Sequence, residues 1–288
     1  MIRIKLIVTG DLEKLVLHDS LRRLFPFQRG QDEVLWERPR KLHSATSHQL
    51  STGSAPSKPM LDLAQAMLDE VGIGKRGEPA DLVVLVDDVE LGNLGQERVV
   101  VEHFKAAVNQ KLATYSESTQ ARYRPLIREK CSFHLLNPMV ESYMFSDRVA
   151  LDAAGVAAGQ QPRLVHPDVE QFETNDPAWL PTCQTQNGLK RQMKPWWRHE
   201  RHPKHYLEHL AERGGVFYEE TKHGRDALEM LRWRQVPKDP THTPVIRALL
   251  EDLADWFGVP NPLGTGSCHP DLYPPKSINR ANLLLRNL

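Results

Sequence analysis

Apolar and polar positions along this chain switch between two periods, and the switching outlines a fold. Residues 2 to 8, Ile2-Arg3-Ile4-Lys5-Leu6-Ile7-Val8, alternate apolar with basic before merging into an apolar run, which predicts a strand. Thr9-Gly10-Asp11 makes a turn in which Thr9 or Asp11 can cap the next helix. In that helix Leu12, Leu15, Val16, Leu21, Leu24 and Phe25 recur at three-to-four spacing, the stripe of a core-facing surface. Asp32 to Trp36 predicts a short strand, and residues 44 to 59, rich in Ser, Thr, Gly and Pro, an exposed loop. Leu61, Leu63, Ala64, Met67, Leu68 and Val71 predict an amphipathic helix stopped by Gly72.

The densest apolar stretch runs from Ala80 to Val89 and ends in Asp87, Asp88 and Glu90. A β-branched run of this kind predicts a strand buried on both faces, as in parallel sheets. A helix is expected from Glu97 to Leu112, a strand over Cys131 to Leu136, and a further helix started by Asn137-Pro138. Strands alternating with helices predict an α/β fold, a small, mostly parallel sheet flanked by helices. From Gly155 to Lys194 the pattern breaks down, then helical spacing returns at Pro203 to Ala211, Gly224 to Leu231 and Thr243 to Phe257. The expected organisation is an α/β core over 1–155, an irregular and helical part over 156–258 packing on it, and a Pro/Gly-rich tail over 259–288, with a short helix from Ala281 to Leu288.

Composition narrows the class only slightly. The 288 residues balance 37 basic against 37 acidic side chains, so no global charge announces a polyanion or membrane surface. Basic charge does cluster from Lys190 to His205, where Arg191, Lys194, Arg198 and Arg201 lie among tryptophans and histidines, a composition suited to a nucleic-acid or partner contact. His199, His202, His205 and His209 lie three or four apart, but Pro203 interrupts their register and no Cys pair accompanies them, which argues against zinc. Three separated cysteines argue against a disulfide framework. With the N-terminus entering a strand directly and no bilayer-length apolar run, a reduced cytoplasmic protein without a membrane partner is expected.

The chemistry-bearing residues gather at predicted element ends. Open α/β sheets place their sites beyond the carboxyl ends of the strands, where Asp87, Asp88 and Glu90 stand. Carboxylates there suit a hard cation such as Mg²⁺, and they suit turns and helix caps equally. Glu141 falls in the first turn of a helix at the corresponding place after the next strand. Lys222 and Arg225, at a loop-to-helix junction, could hold a phosphate or simply pair with acidic neighbours. No G-x-G-x-x-G, Gly-Lys-Ser/Thr or G-x-S-x-G motif is present, so neither a dinucleotide fold nor a P-loop ATPase is supported and the hydrolase-triad reading is weakened.

Six segments in order carry a resemblance: Leu6-Ile7-Val8-Thr9-Gly10-Asp11-Leu12-Glu13 with Leu21-Arg22-Arg23-Leu24, Val84-Leu85-Val86-Asp87-Asp88, Glu141-Ser142-Tyr143-Met144-Phe145-Ser146-Asp147, His202-Pro203-Lys204-His205-Tyr206-Leu207, and Tyr218-Glu219-Glu220-Thr221-Lys222-His223-Gly224. Together they resemble the DUF4276 family of Toprim-like proteins. The resemblance implies a Toprim-like sheet and a site holding Mg²⁺ or Mn²⁺ for phosphodiester chemistry on DNA or RNA. It places that site on Asp87 with Asp88 or, through the spacing Asp88-Val89-Glu90, on Glu90. Glu141 would ligate or orient water, and Lys222 or Arg225 would steady the phosphate. It further implies a phage-defence context and an ATPase partner, since this chain carries no ATPase motif; a homo-oligomer is also open. The family's first glutamate precedes the turn glycine, where this chain has Thr9. Asp11 or Glu13 then supplies the carboxylate, or the chain is a degenerate scaffold in a protein complex, or it binds nucleic acid without cleaving it.

Overall fold

In the computed structural model residues 1–72, 78–183 and 200–273 are described. The structure is α/β: a six-stranded, mostly parallel sheet with helices on both faces. Strand β1 (Ile2–Val8) is central. It pairs in parallel with β5 (Leu82–Asp88) on one side, and on the other with β3 (Asp32–Trp36) near its start and β4 (Arg40–Lys41) near its end. The outer strand β6 (Cys131–Leu136) pairs in parallel with β5, and β2 (Gln28–Arg29) adds an antiparallel edge to β3.

Side-chain alternation along β1 and β5 divides the core into two layers. Ile4, Leu6, Val8, Leu82, Val84 and Val86 face α1 (His18–Arg22), α5 (Glu141–Met144), α6 (Arg148–Ala153), α7 (Pro203–Arg213) and α8 (Arg225–Met230). Ile7, Val83, Leu85, Cys131, Phe133 and Leu135 face α2 (Lys58–Glu70) and α3 (Glu97–Leu112). Helix α9 (Pro244–Phe257) contributes Ile246, Leu249, Leu250 and Leu253 to the first layer, and Val245 and Ala248 to the second. Burying both faces explains why β5 reads as an unbroken apolar run rather than as an alternating strand, while β6, equally buried, carries Ser132 and His134 on one face.

Several expectations need correcting. Residues 44 to 46 are not exposed loop: Ala45 and Thr46 are buried, and Thr46 Oγ1 donates to the Asp88 carbonyl at 2.6 Å. The helix after β1 opens with a π turn over Glu13–Leu17, and neither Thr9 nor Asp11 caps it. After β6 the helix begins at Glu141 rather than at Pro138. Helix α4 (Glu117–Lys130) carries no apolar stripe because it buries only Ile127. The proposed helix from Ala281 to Leu288 lies outside the described residues. Among the described residues, no helix is long and apolar enough to cross a membrane.

Candidate functional site

Parallel pairing of β1 with β5 brings their carboxyl ends together, with Val8 beside Val86. Because strand side chains alternate between faces, the adjacent Asp87 and Asp88 point in opposite directions. Asp87 follows Val83 and Leu85 onto the α2/α3 face. There it is 1% exposed and takes hydrogen bonds from Thr9 Oγ1 at 2.6 Å, Ser44 Oγ at 3.3 Å and the Ala45 amide at 3.2 Å. Burial pushes its carboxyl up to about 6, with these donors holding it from rising further. Asp87 therefore fastens the 44–46 segment to the sheet and is not part of the cavity described next.

Asp88 follows Val84 and Val86 onto the opposite face, into a half-open cavity of about 290 Å³. Glu13, Glu90 and Glu141 line the same cavity, together with His202, Lys204, His205 and Glu220. Glu13 comes from the π turn after β1, Asp88 and Glu90 from the end of β5, Glu141 from the start of α5, and Lys204 from the start of α7. Four separate elements thus deliver charge to one place at the carboxyl edge of the sheet, where open α/β folds hold ligands.

The local backbone is shaped around these carboxylates. The Glu13 side chain turns back over Gly10, so that a Cβ there would meet the Glu13 carboxylate and push it aside. Glu90 adopts φ 62° and ψ 155°, a region that side-chain-bearing residues rarely enter and that costs on the order of 1–3 kcal/mol. Its amide donates to the Pro138 carbonyl at 3.0 Å, which ties the β5 and β6 loops together beneath the cavity.

The carboxylates raise one another's proton affinity. Burial, and next the charge of Glu141, pushes Glu13 up to about 8. Burial pushes Glu141 up to about 7 against the pull of Lys204. Asp88 rises well above the usual range through burial and then the charges of Glu13, Glu90 and Glu141, while Glu90 rises mainly through burial. Asp88 Oδ1 is buried and takes no hydrogen bond. On Lys204, burial opposes the charged ammonium, but Glu141 and Glu220 outweigh it and hold the proton more firmly; Glu220 also accepts its hydrogen bond. The stacked rings of His202 and His205, 3.7 Å between centroids, form part of the wall.

The other expected site residues lie elsewhere. Asp11 is exposed and pairs with Lys41 at 2.5 Å. Lys222 is exposed, and Arg225 is exposed and forks onto Asp226 at 2.7 and 3.0 Å, so neither cation lines the cavity. The cavity's cation is Lys204, which the sequence pattern placed in a motif without assigning it a role. Of the basic cluster, Arg201 pairs with Glu173 at 2.8 Å, while Arg191, Lys194 and Arg198 lie outside the described residues. As the side chains stand, no three His, Cys, Asp or Glu residues among those described are arranged to hold a metal ion, zinc included. Comparison with known proteins found no match to any family model, curated protein or solved structure.

Proposed function

We propose that this chain is a Toprim-like, Mg²⁺- or Mn²⁺-dependent protein acting on the phosphodiester bonds of DNA or RNA. The observation that carries this reading is the cavity at the ends of β1 and β5, where Glu13, Asp88, Glu90 and Glu141 line one half-open space with Lys204. The donor set suits a hard cation: its acidic groups offer only oxygen, it is short of neutralising charge, and Asp88 Oδ1 has no partner. Asp88, Glu13 and Glu141 would hold the ion, after side-chain rotations that turn them toward one another. The ion supplies Lewis-acid polarisation of a phosphate and a more acidic bound water. Glu90, on the same lining, would accept a proton. Lys204, fixed between Glu141 and Glu220, presents positive charge toward an anionic group entering the cavity. Any ATP dependence would come from a partner protein.

A second reading, a Toprim scaffold without chemistry, draws on Thr9. It stands at the strand end as an uncharged residue, and its hydroxyl is committed to Asp87. Calorimetric titration with Mn²⁺ separates the two. Wild-type protein is expected to bind one ion, and an Asp88→Asn/Glu141→Gln double variant to lose at least tenfold in affinity. Equal, negligible binding by both would leave the scaffold standing.

A further inference from the structure

One buried hydroxyl beside the cavity has no structural employment. Tyr218 precedes the π turn Glu220–Gly224, is 7% exposed, and its hydroxyl has no hydrogen-bond partner. Buried hydroxyls are nearly always paired, so one left over in a packed wall calls for a physical reason. The phenol oxygen lies over Gly224, where a Cβ would meet it at 2.5 Å; the same Cβ would meet Leu12, a residue of the cavity lining, at 3.5 Å. Glu220, which opens the turn, lines the cavity as well. Tyr218 therefore stands just behind the cavity wall, and is not itself part of the lining.

Its charged neighbours are acceptors. Burial, and then the charges of Glu141, Glu220 and Glu208, make the phenol hold its proton more firmly than usual, so it is a donor without an acceptor. Glu220 already accepts from Lys204. Glu141, whose charge acts most strongly on the phenol, is 4% exposed. Its carboxylate takes a hydrogen bond from its own amide, and none from another side chain among the described residues. A buried donor lacking an acceptor and a buried carboxylate lacking a side-chain donor thus lie behind one wall. A carboxylate that gives one oxygen to a cation is held in place by a donor on the other, and such supporting groups commonly set the affinity.

We propose that Tyr218 is the positioning residue for Glu141: as Glu141 turns one oxygen toward a bound cation, the Tyr218 hydroxyl donates to the other and fixes the ligating orientation. The inference rests on the cation reading of the cavity and adds the group that selects one orientation of Glu141. Tyr218 touches neither ion nor substrate; it acts through the carboxylate.

Mn²⁺ titration by calorimetry across a double-mutant cycle tests this, with thermal melts under chelator alongside. Tyr218→Phe keeps the ring and removes only the hydroxyl, which has no partner to lose, so it is expected to melt no earlier than the wild type. Its Mn²⁺ affinity is expected to fall about tenfold, the usual effect of losing a group that orients a ligand. The partner variant is Glu141→Ala, because a glutamine there could still accept from the phenol. In the Glu141→Ala background Tyr218→Phe is expected to cost less than about twofold, the non-additivity of two groups that act as one. Wild-type affinity in Tyr218→Phe overturns the positioning role and leaves the cation reading intact. A tenfold loss in both backgrounds overturns it too, since Tyr218 would then act without Glu141. An earlier melt with unchanged affinity makes Tyr218 a packing residue only. No Mn²⁺ binding by the wild type sinks the cation reading, and this inference with it.

Discussion

Asp87 and Asp88 are chain neighbours of one type at the end of one strand, and the fold uses them for opposite ends. Asp87 is surrounded by donors and fastens a loop. Asp88 is surrounded by carboxylates, with one oxygen left without a partner. The difference is a single residue of register on a strand buried on both faces. A buried carboxylate met by donors is held nearer the ordinary carboxylate range; one placed among its own kind rises further, costs stability, and persists at sites that meet a cation.

Breaking each one in turn gives the largest expected effect. Asp87→Ala leaves the Thr9 hydroxyl and the Ala45 amide without their acceptor in a buried setting, and is expected to lower unfolding free energy by about 3 kcal/mol. Asp88→Asn removes a like charge, and is expected to raise the midpoint of thermal unfolding by about 2 °C near neutral pH without divalent ions. Thermal melts of the two variants under chelator decide the matter. Destabilisation of similar size in both would mean that Asp88 also serves as a structural anchor.

This division was partly legible in the sequence. Strand β5 is legible because a short β-branched apolar run bounded by Pro and carboxylates favours a strand buried on both faces, β1 because it alternates before turning apolar, and the acidic residues after β5 follow. The pairing of Asp87 with Asp88 as joint ligands ignored the strand's period of two, which already sends them to opposite faces and favours the spacing Asp88-Val89-Glu90. Glu13 over Gly10 was out of reach, since a side chain folded back on its own turn leaves no periodic mark. Lys204 was equally hidden: at the start of α7 it looks like any solvated lysine until Glu141 and Glu220 arrive from elements far apart in the chain. Helix α4 escaped because a helix that buries one residue, and contains Pro125, carries no stripe. The 44–46 segment escaped because a backbone amide, small hydroxyls and the single methyl of Ala45 hold it, which leaves no apolar pattern.

The same comparison can be sharpened by pH. Glu13 and Glu141 have folded-state values of about 8 and about 7 against an ordinary value of 4.5, so the folded chain binds more protons than the unfolded chain between those limits. Their protonated forms favour folding below about pH 4.5, and that contribution is lost as pH rises through about 7 to 8. Without divalent ions, stability is therefore expected to decline from pH 5 to pH 8. Glu13→Gln should flatten the decline, and Mn²⁺ should reverse it by binding the deprotonated carboxylates. A melting temperature that rises steadily over this range in chelator would contradict the mutual repulsion assigned to the cavity.

The smallest expected effect separates the cation inside the cavity from those expected there. Lys222 and Arg225 are exposed, and Arg225 already forks onto Asp226, so a Lys222→Ala/Arg225→Ala variant should leave melting temperature and Mn²⁺ affinity unchanged within error. Lys204→Ala should behave differently in both measurements. With the ammonium gone, Glu141 and Glu220 lose their counter-charge, so the apo protein should melt earlier at pH 8 than at pH 6 by a wider margin than the wild type does. The uncovered carboxylates should meanwhile take Mn²⁺ at least as well as before. On the phosphodiester reading, turnover should fall even so, because the positive charge of Lys204 has been removed while the groups assigned to the ion remain. If the Lys222/Arg225 variant instead lost turnover and Lys204→Ala kept it, the phosphate would approach from the outer face of α8, and the cavity at the ends of β1 and β5 would not be where it reacts.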